Sequence, residues 1–146
     1  ERRYRAKCKP VFQNQGARVA RQKILLIEND LLLSKAICIF LSRKGYEVEA
    51  FQDGEQAVKR LLQIRPDSIV ADLESPGCDV LFIAELLEKF GWAKKVSLIL
   101  LSGPEAEVGG HTEVGHWTSI QKPFDMGELV ETIERSIKKP KLSSTL

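Results

Sequence analysis

Short apolar runs alternate with amphipathic helical segments along most of this chain, and that alternation constrains its fold more than any other feature. The runs at residues 24–27, 68–71 and 96–101 have the length and composition of strands that are buried on both faces. Between them, apolar residues recur at helical spacing, as in residues 33–41. Strands separated by helices predict right-handed crossovers and one parallel sheet with helices on both faces.

Two further strands, at residues 46–50 and 118–121, alternate apolar and polar side chains, which is typical of the edges of a sheet. Together the five strands predict an α/β fold, a doubly wound five-stranded parallel sheet with the strand order 2-1-3-4-5. In this order strands 1 and 3 are neighbours, and ligands bind beyond their carboxyl ends. The functional site is therefore expected at that edge of the sheet.

Aspartates precede four helical segments, where a carboxylate can accept hydrogen bonds from the first free backbone amides. These candidate caps are Asp30, Asp53, Asp79 and Asp125. The segment from residue 103 to 115 is rich in glycine and weakly periodic, so we expect only a short or irregular helix there.

Charge is unevenly distributed over the 146 residues, with +7 on residues 1–23 and −5 on the remainder. Basic arms can contact nucleic acid or anionic lipid, but this one lacks interleaved aromatic residues, which favours a solvated linker. We therefore expect a basic N-terminal arm or linker over residues 1–22, one domain over residues 23–139 and a flexible tail over residues 140–146.

Several classes of protein are disfavoured by what the sequence lacks. No apolar stretch approaches the ~20 residues of a membrane helix, and none follows the basic N-terminus as in a secretory signal. Cys8, Cys38 and Cys78 have no C-x-x-C spacing, so we expect free thiols in the reducing cytoplasm, without zinc. A flavin- or nucleotide-binding protein is disfavoured because no glycine-rich phosphate loop is present.

Polar residues fall where the predicted strands end. Glu28 and Asn29 follow the first strand, Asp72 follows the third, Ser102 ends the fourth and Lys122 ends the fifth. Clustered carboxylates repel one another unless a cation lies among them, and oxygen ligands suit Mg²⁺ or Mn²⁺. A carboxylate beside such an ion, with an ammonium and a hydroxyl nearby, can accept a phosphoryl group.

Residues 23–139 resemble the receiver domain of two-component response regulators. Four segments carry the resemblance, namely KILLIEND (23–30), PDSIVADLESPG (66–77), LLSG (100–103) and KPF (122–124). The resemblance implies a flavodoxin-like receiver fold and a signalling role, with no enzymatic activity beyond Mg²⁺-dependent phosphorylation and dephosphorylation of the domain itself. It also implies a histidine kinase or phosphotransfer protein as the partner.

Position by position, the resemblance implies that Asp72 is the phosphoryl acceptor, that Lys122 pairs with the phosphoryl group and that Ser102 donates a hydrogen bond to it. The bond between Lys122 and Pro123 is implied to be cis. We expect any output domain to lie outside this chain. A homodimer is compatible with the fold, and we expect this domain to contact neither a membrane nor nucleic acid.

The implied metal set is Glu28, Asn29, Asp72 and the carbonyl oxygen of Glu74, and it departs from the family pattern. Asn29 replaces a carboxylate, which should weaken binding of Mg²⁺, and Glu74 adds an unusual carboxylate at the mouth of the site. Ser119 lies where the family has an aromatic ring. Two functions therefore stay open: a phosphorylated receiver, and a degenerate receiver that acts as a phosphorylation-independent protein–protein interaction module.

Overall fold

The structure is a computed structural model that describes residues 5–9, 21–103 and 117–138. Within those ranges the chain forms six strands and four helices. The strands are β1 (Arg5–Cys8), β2 (Lys23–Ile27), β3 (Glu47–Phe51), β4 (Ser68–Asp72), β5 (Ser97–Ser102) and β6 (Trp117–Gln121). The helices are α1 (Leu31–Arg43), α2 (Gly54–Ile64), α3 (Val80–Lys89) and α4 (Met126–Lys138).

All six strands form one sheet in the order β1-β3-β2-β4-β5-β6. Strands β2 to β6 run parallel, and they are the five strands predicted from the sequence, in the predicted order 2-1-3-4-5. The doubly wound α/β architecture is therefore confirmed. The strand count was wrong by one, because β1 pairs antiparallel with β3 and adds a sixth strand.

Strand β1 changes the environment of β3. The predicted basic arm or linker includes residues 5–8, but these residues pair with β3, which is therefore not the edge strand that its alternating pattern indicates. The carboxylate of Glu49 on β3 is buried and forms ion pairs with Arg5 of β1 and Arg60 of α2. The buried carboxylate of Glu49 is thus neutralised by basic residues from two elements, whereas Glu47 on the same face of β3 stays partly exposed.

The core has two layers because successive side chains of a strand point to opposite faces of the sheet. Ile24 and Leu26 of β2 join the cluster under α1 and α4, whereas Leu25 and Ile27 join the cluster under α2 and α3. Trp117 packs against the second cluster. Because both faces of β2 are buried, its sequence is a continuous apolar run. The two apolar layers hold the sheet in place, and the polar residues lie at its carboxyl edge.

Three of the predicted caps are present, because Asp30, Asp53 and Asp79 accept hydrogen bonds from the first turns of α1, α2 and α3. Asp125 accepts from the backbone N–H of Gly127 at the start of α4. Residues 104–116, where we expected a short or irregular helix, and the tail at residues 140–146 lie outside the described residues. None of the helices in the described ranges is long and apolar enough to cross a membrane.

The three cysteines are free thiols, as expected from their spacing. Burial raises the pKa of Cys78 to about 12, and the nearby Asp72 and Asp79 carboxylates add to the rise. Burial also raises the pKa of Cys38 well above its ordinary value, and contact with Cys8 adds to it. Cys38 and Cys78 therefore stay protonated near neutral pH, where a thiol is a weak nucleophile.

The N-terminus of α2 lies directly against the loop that follows β4. The backbone N–H of Gly54 donates to the carbonyl oxygen of Pro76 at 2.9 Å. A side chain at position 54 has no room, because a Cβ there would collide with the backbone at Gly77 and Cys78. The glycine thus allows a close approach that fixes the loop after Asp72.

Gly54→Ala should therefore destabilise the protein by roughly 1–3 kcal/mol, as overpacking against rigid backbone does, even though alanine favours a helix. The free energy of unfolding in urea measures the effect. Gly127→Ala is the matched control, because among the residues that the structure describes a Cβ at position 127 would meet only the side chain of Asp125, at 3.2 Å. A Gly54→Ala protein as stable as the control would contradict the close approach.

Candidate functional site

The register of the sheet brings the polar strand ends together. Ile27 pairs with Ala71, so the residues that follow these two, Glu28 and Asp72, lie side by side at the carboxyl edge. Ser102 pairs with Gln121 at the ends of β5 and β6, and Lys122 is the next residue along the chain. The backbone N–H of Lys122 donates to the carbonyl oxygen of Ser102 at 2.7 Å, which extends the ladder by one bond.

Lys122 joins the two carboxylates. Its Nζ lies 2.7 Å from Oε1 of Glu28 and 3.4 Å from Oδ2 of Asp72. Glu28 and Asp72 are each only 1% exposed, and buried carboxylates of this kind need a cation beside them. The peptide bond between Lys122 and Pro123 is cis, as the resemblance implied. The structure therefore brings together three of the residues that the sequence singled out.

The carboxylate of Asp72 has a second set of partners from its own loop. Its Oδ1 accepts from the backbone N–H of Glu74 at 3.1 Å. Its Oδ2 accepts from the hydroxyl of Ser75, also at 3.1 Å, and the Ser75 oxygen in turn accepts from the backbone N–H of Asn29 at 3.0 Å. Ser75 is buried and was missed by the sequence analysis. Only its spacing, three residues after Asp72 in a turn, could have indicated it.

Electrostatics in the site follow from burial and from these contacts. Burial raises the pKa of Glu28 to about 7; the Lys122 ammonium opposes the rise and the Asp72 carboxylate adds to it. For Lys122, burial alone would lower the pKa, but the ion pairs with Glu28 and Asp72 outweigh burial and raise it. Lys122 therefore stays charged at neutral pH, whereas Glu28 can exchange a proton there.

The remaining predicted residues lie at the same edge but make other contacts. Ser102 is buried, and its hydroxyl donates a long hydrogen bond of 3.5 Å to the carbonyl oxygen of Ile120. The exposed side chain of Glu74 lies over Gly103, where a Cβ would collide with its Oε1. Asn29 is exposed beside Glu28. These three residues are thus placed around the carboxylate pair.

The donor set can be tested against the expected metal. Within residues 5–9, 21–103 and 117–138 no group of three or more Asp, Glu, His or Cys side chains is arranged to hold an ion. Glu28 and Asp72 nevertheless offer buried carboxylate oxygens at one point, and oxygen ligands are what Mg²⁺ or Mn²⁺ prefers. These two carboxylates fit a hard divalent ion whose other ligands would include several waters. Such a site has fewer charged ligands than one with three carboxylates.

The chain is similar to known proteins over most of its length. A family model described as the response regulator receiver domain matches residues 24–134. "Probable transcriptional regulator ycf29" of Porphyra purpurea is 31% identical over 124 residues, which are 83% of this chain and 59% of that protein. The DNA-binding response regulator MtrA of Mycobacterium leprae is 29% identical over 119 residues, 82% of this chain and 52% of MtrA. The chain thus spans just over half the length of these relatives.

Solved structures show the same fold. The signal receiver domain of a response regulator from Bermanella marisrubri superposes with a TM-score of 0.70 at 25% identity, covering 81% of this chain and 99% of that one. The chemotaxis response regulator CheY4 of Vibrio cholerae superposes with a TM-score of 0.67 at 22% identity, covering 80% and 98%. The similarity in fold covers nearly all of these two solved structures and about four-fifths of this chain.

The raised pKa of Glu28 predicts how stability depends on pH. Between the ordinary value of 4.5 and about 7, the folded protein keeps a proton on Glu28 that the unfolded chain releases. Stability should therefore fall as the pH rises through this window, and Glu28→Gln should flatten the fall. Urea unfolding from pH 5 to 7.5 without divalent ions measures both proteins.

Glu55→Gln is the control for this measurement, because Glu55 is an exposed carboxylate on α2 that forms an ion pair with the exposed Lys59. This variant should keep the pH dependence of the wild type. Equal slopes for wild type and Glu28→Gln would show that Glu28 titrates as an ordinary exposed glutamate.

Proposed function

The chain belongs to the response regulator receiver family of two-component signalling, and from that premise we propose that Asp72 accepts a phosphoryl group. The observation that carries the proposal is the Lys122 ammonium, which lies between the buried carboxylates of Glu28 and Asp72. A buried carboxylate at a sheet edge, with a fixed cation beside it, has the charge arrangement that phosphoryl transfer needs.

In the proposed reaction an oxygen of Asp72 attacks the phosphorus of a phosphohistidine, and the bond from phosphorus to the histidine nitrogen breaks. The product is a mixed anhydride with two negative charges on the phosphoryl group. Lys122, already 3.4 Å from Oδ2, can move from Glu28 toward that charge. A divalent ion held by Glu28 and Asp72, with Asn29 and the carbonyl oxygen of Glu74 at the mouth, would supply further charge neutralisation.

The response to phosphorylation would pass through the backbone next to Lys122. Its N–H is bonded to the carbonyl oxygen of Ser102, and the Ser102 hydroxyl contacts Ile120 of β6. When Lys122 is drawn toward the phosphoryl group, and Ser102 turns to donate to it, the ends of β5 and β6 shift together. The signal is thus electrostatic at its origin and mechanical at the sheet edge.

The proposed partner is a histidine kinase or phosphotransfer protein that docks beside the site. Leu33, Pro123 and Phe124 line an apolar groove that includes Lys122, and Leu32 is 81% exposed at the start of α1. Apolar side chains next to a reactive carboxylate fit a partner that brings its phosphohistidine to Asp72. The DNA-binding function in the name of MtrA belongs to that protein. For this chain we propose only that an output domain lies outside the chain.

We also propose that the receiver unit extends over residues 23–139, with β1 added to its sheet, and that it acts in the cytoplasm, where free thiols such as Cys38 persist.

A second candidate function is a degenerate receiver that binds a partner without phosphorylation. Asn29 in place of a carboxylate and the exposed Glu74 over Gly103 favour that alternative. Chemical modification of Asp72 separates the two.

The proposed function predicts that wild type forms an adduct with beryllofluoride, or with a small phosphodonor, in the presence of Mg²⁺, and that Asp72→Asn does not. Intact mass reports the covalent phosphoryl adduct, and tryptophan fluorescence reports the reversible beryllofluoride complex. Asp67→Asn is the matched control, because Asp67 lies at the other end of β4, where it accepts from the backbone N–H of Lys23. Absence of any adduct on wild type at high donor concentration would favour the binding-only receiver.

Asn29→Asp should tighten binding of Mg²⁺ by about tenfold or more, since an added carboxylate beside Glu28 and Asp72 raises the negative charge of the site. Isothermal titration calorimetry measures the affinity. Asn29→Ala removes the amide without adding charge and should bind Mg²⁺ no more tightly than wild type. Equal affinities for the aspartate and alanine variants would place the ion away from residue 29.

A further inference from the structure

Ser75 connects the ends of β2 and β4 through one buried hydroxyl. We propose that this hydroxyl is a positioning group that shortens the lifetime of the phosphoryl group on Asp72, an inference that rests on the proposed function. The hydroxyl donates to Oδ2 of Asp72 at 3.1 Å and accepts from the backbone N–H of Asn29 at 3.0 Å. A hydroxyl has one proton to donate, so the amide of Asn29 fixes its orientation toward Asp72.

The turn that carries Ser75 holds it rigidly. Its backbone N–H donates to the carbonyl oxygen of Asp72 at 3.1 Å, and its own carbonyl oxygen accepts from Cys78 at 3.1 Å. The residue is only 4% exposed, so water does not compete readily for its hydroxyl. Oδ2 of Asp72 thus has two neighbours of different kinds, the Ser75 hydroxyl and the ammonium of Lys122.

Hydrolysis of the phosphorylated state returns charge to the oxygen that Ser75 faces. A water oxygen attacks phosphorus, the bond between phosphorus and the Asp72 oxygen breaks, and its electron pair returns to the carboxylate. The proton of the water leaves with inorganic phosphate. A hydroxyl bonds a carboxylate more strongly than it bonds a neutral acyl oxygen, so Ser75 stabilises the leaving carboxylate and the transition state that leads to it.

The same hydrogen bond opposes the forward reaction, because it must weaken as the carboxylate loses its charge. Ser75 would therefore slow phosphorylation and speed hydrolysis. A purely structural role predicts something different, since loss of alignment at Asp72 slows both reactions. The sign of the effect on phosphorylation consequently distinguishes the two roles of Ser75.

The test follows Ser75→Ala, Ser75→Thr and Ser34→Ala with a small phosphodonor and Mg²⁺, with the adduct quantified over time by intact mass after the donor is removed. Ser75→Ala should lengthen the half-life of the adduct about fivefold, the factor given by one hydrogen bond of ordinary strength, and should form the adduct faster than wild type. Ser75→Thr keeps the hydroxyl and should restore the short half-life. Ser34 is a buried serine in α1 outside the site, so Ser34→Ala should behave as wild type.

A second readout needs neither donor nor metal. In Ser75→Ala the backbone amide proton of Asn29 should move upfield in a ¹⁵N–¹H spectrum, because it loses its acceptor. Two results would overturn the role of Ser75 while leaving Asp72 as the acceptor. One is an Asn29 amide proton that does not move, and the other is an adduct whose half-life on Ser75→Ala is the same as on wild type, or shorter. A wild type that takes up no phosphoryl group overturns the proposed function and this role with it.

Discussion

The contact of Lys122 with Glu28 and Asp72 is the interaction on which the site depends. Two carboxylates that are almost fully buried at one edge of a sheet would repel each other and lack solvation. A single ammonium, 2.7 Å from one and 3.4 Å from the other, makes their burial tolerable. The same ammonium lies beside the carboxylate that we propose as the phosphoryl acceptor, so one group would serve both the stability of the site and its proposed function.

The fold produces this contact through register rather than through local sequence. Glu28 and Asp72 lie at the ends of neighbouring parallel strands in matching register. Lys122 follows β6, the edge strand, which is separated from β4 by β5. Apolar layers on both faces hold those strands in place. The polar residues contribute charge and chemistry, whereas burial of the apolar runs supplies the free energy that keeps them together.

Much of this arrangement could be predicted, because strand order follows from the βαβ pattern and polar residues at strand ends are visible in the sequence. Strand β1 could not, since Ala6 and Cys8 are too few to stand out as a strand beside two basic residues, and Glu49, the partner of Arg5, lies 44 residues from it in the sequence. The contact between Ser75 and Asp72 depends on the geometry of one turn, and the direction of the Ser102 hydroxyl depends on one torsion angle. Sequence spacing specifies neither of them.

The coupling between Glu28 and Lys122 measures whether the ammonium stabilises the buried carboxylate pair. A double-mutant cycle with Glu28→Gln, Lys122→Met and the double variant, measured by urea unfolding at pH 7.5 without divalent ions, isolates their interaction. We expect a favourable coupling energy of about 1 kcal/mol or more, as for a buried ion pair in contact. Additive effects, within about 0.3 kcal/mol, would mean that the ammonium does not hold the carboxylate pair together.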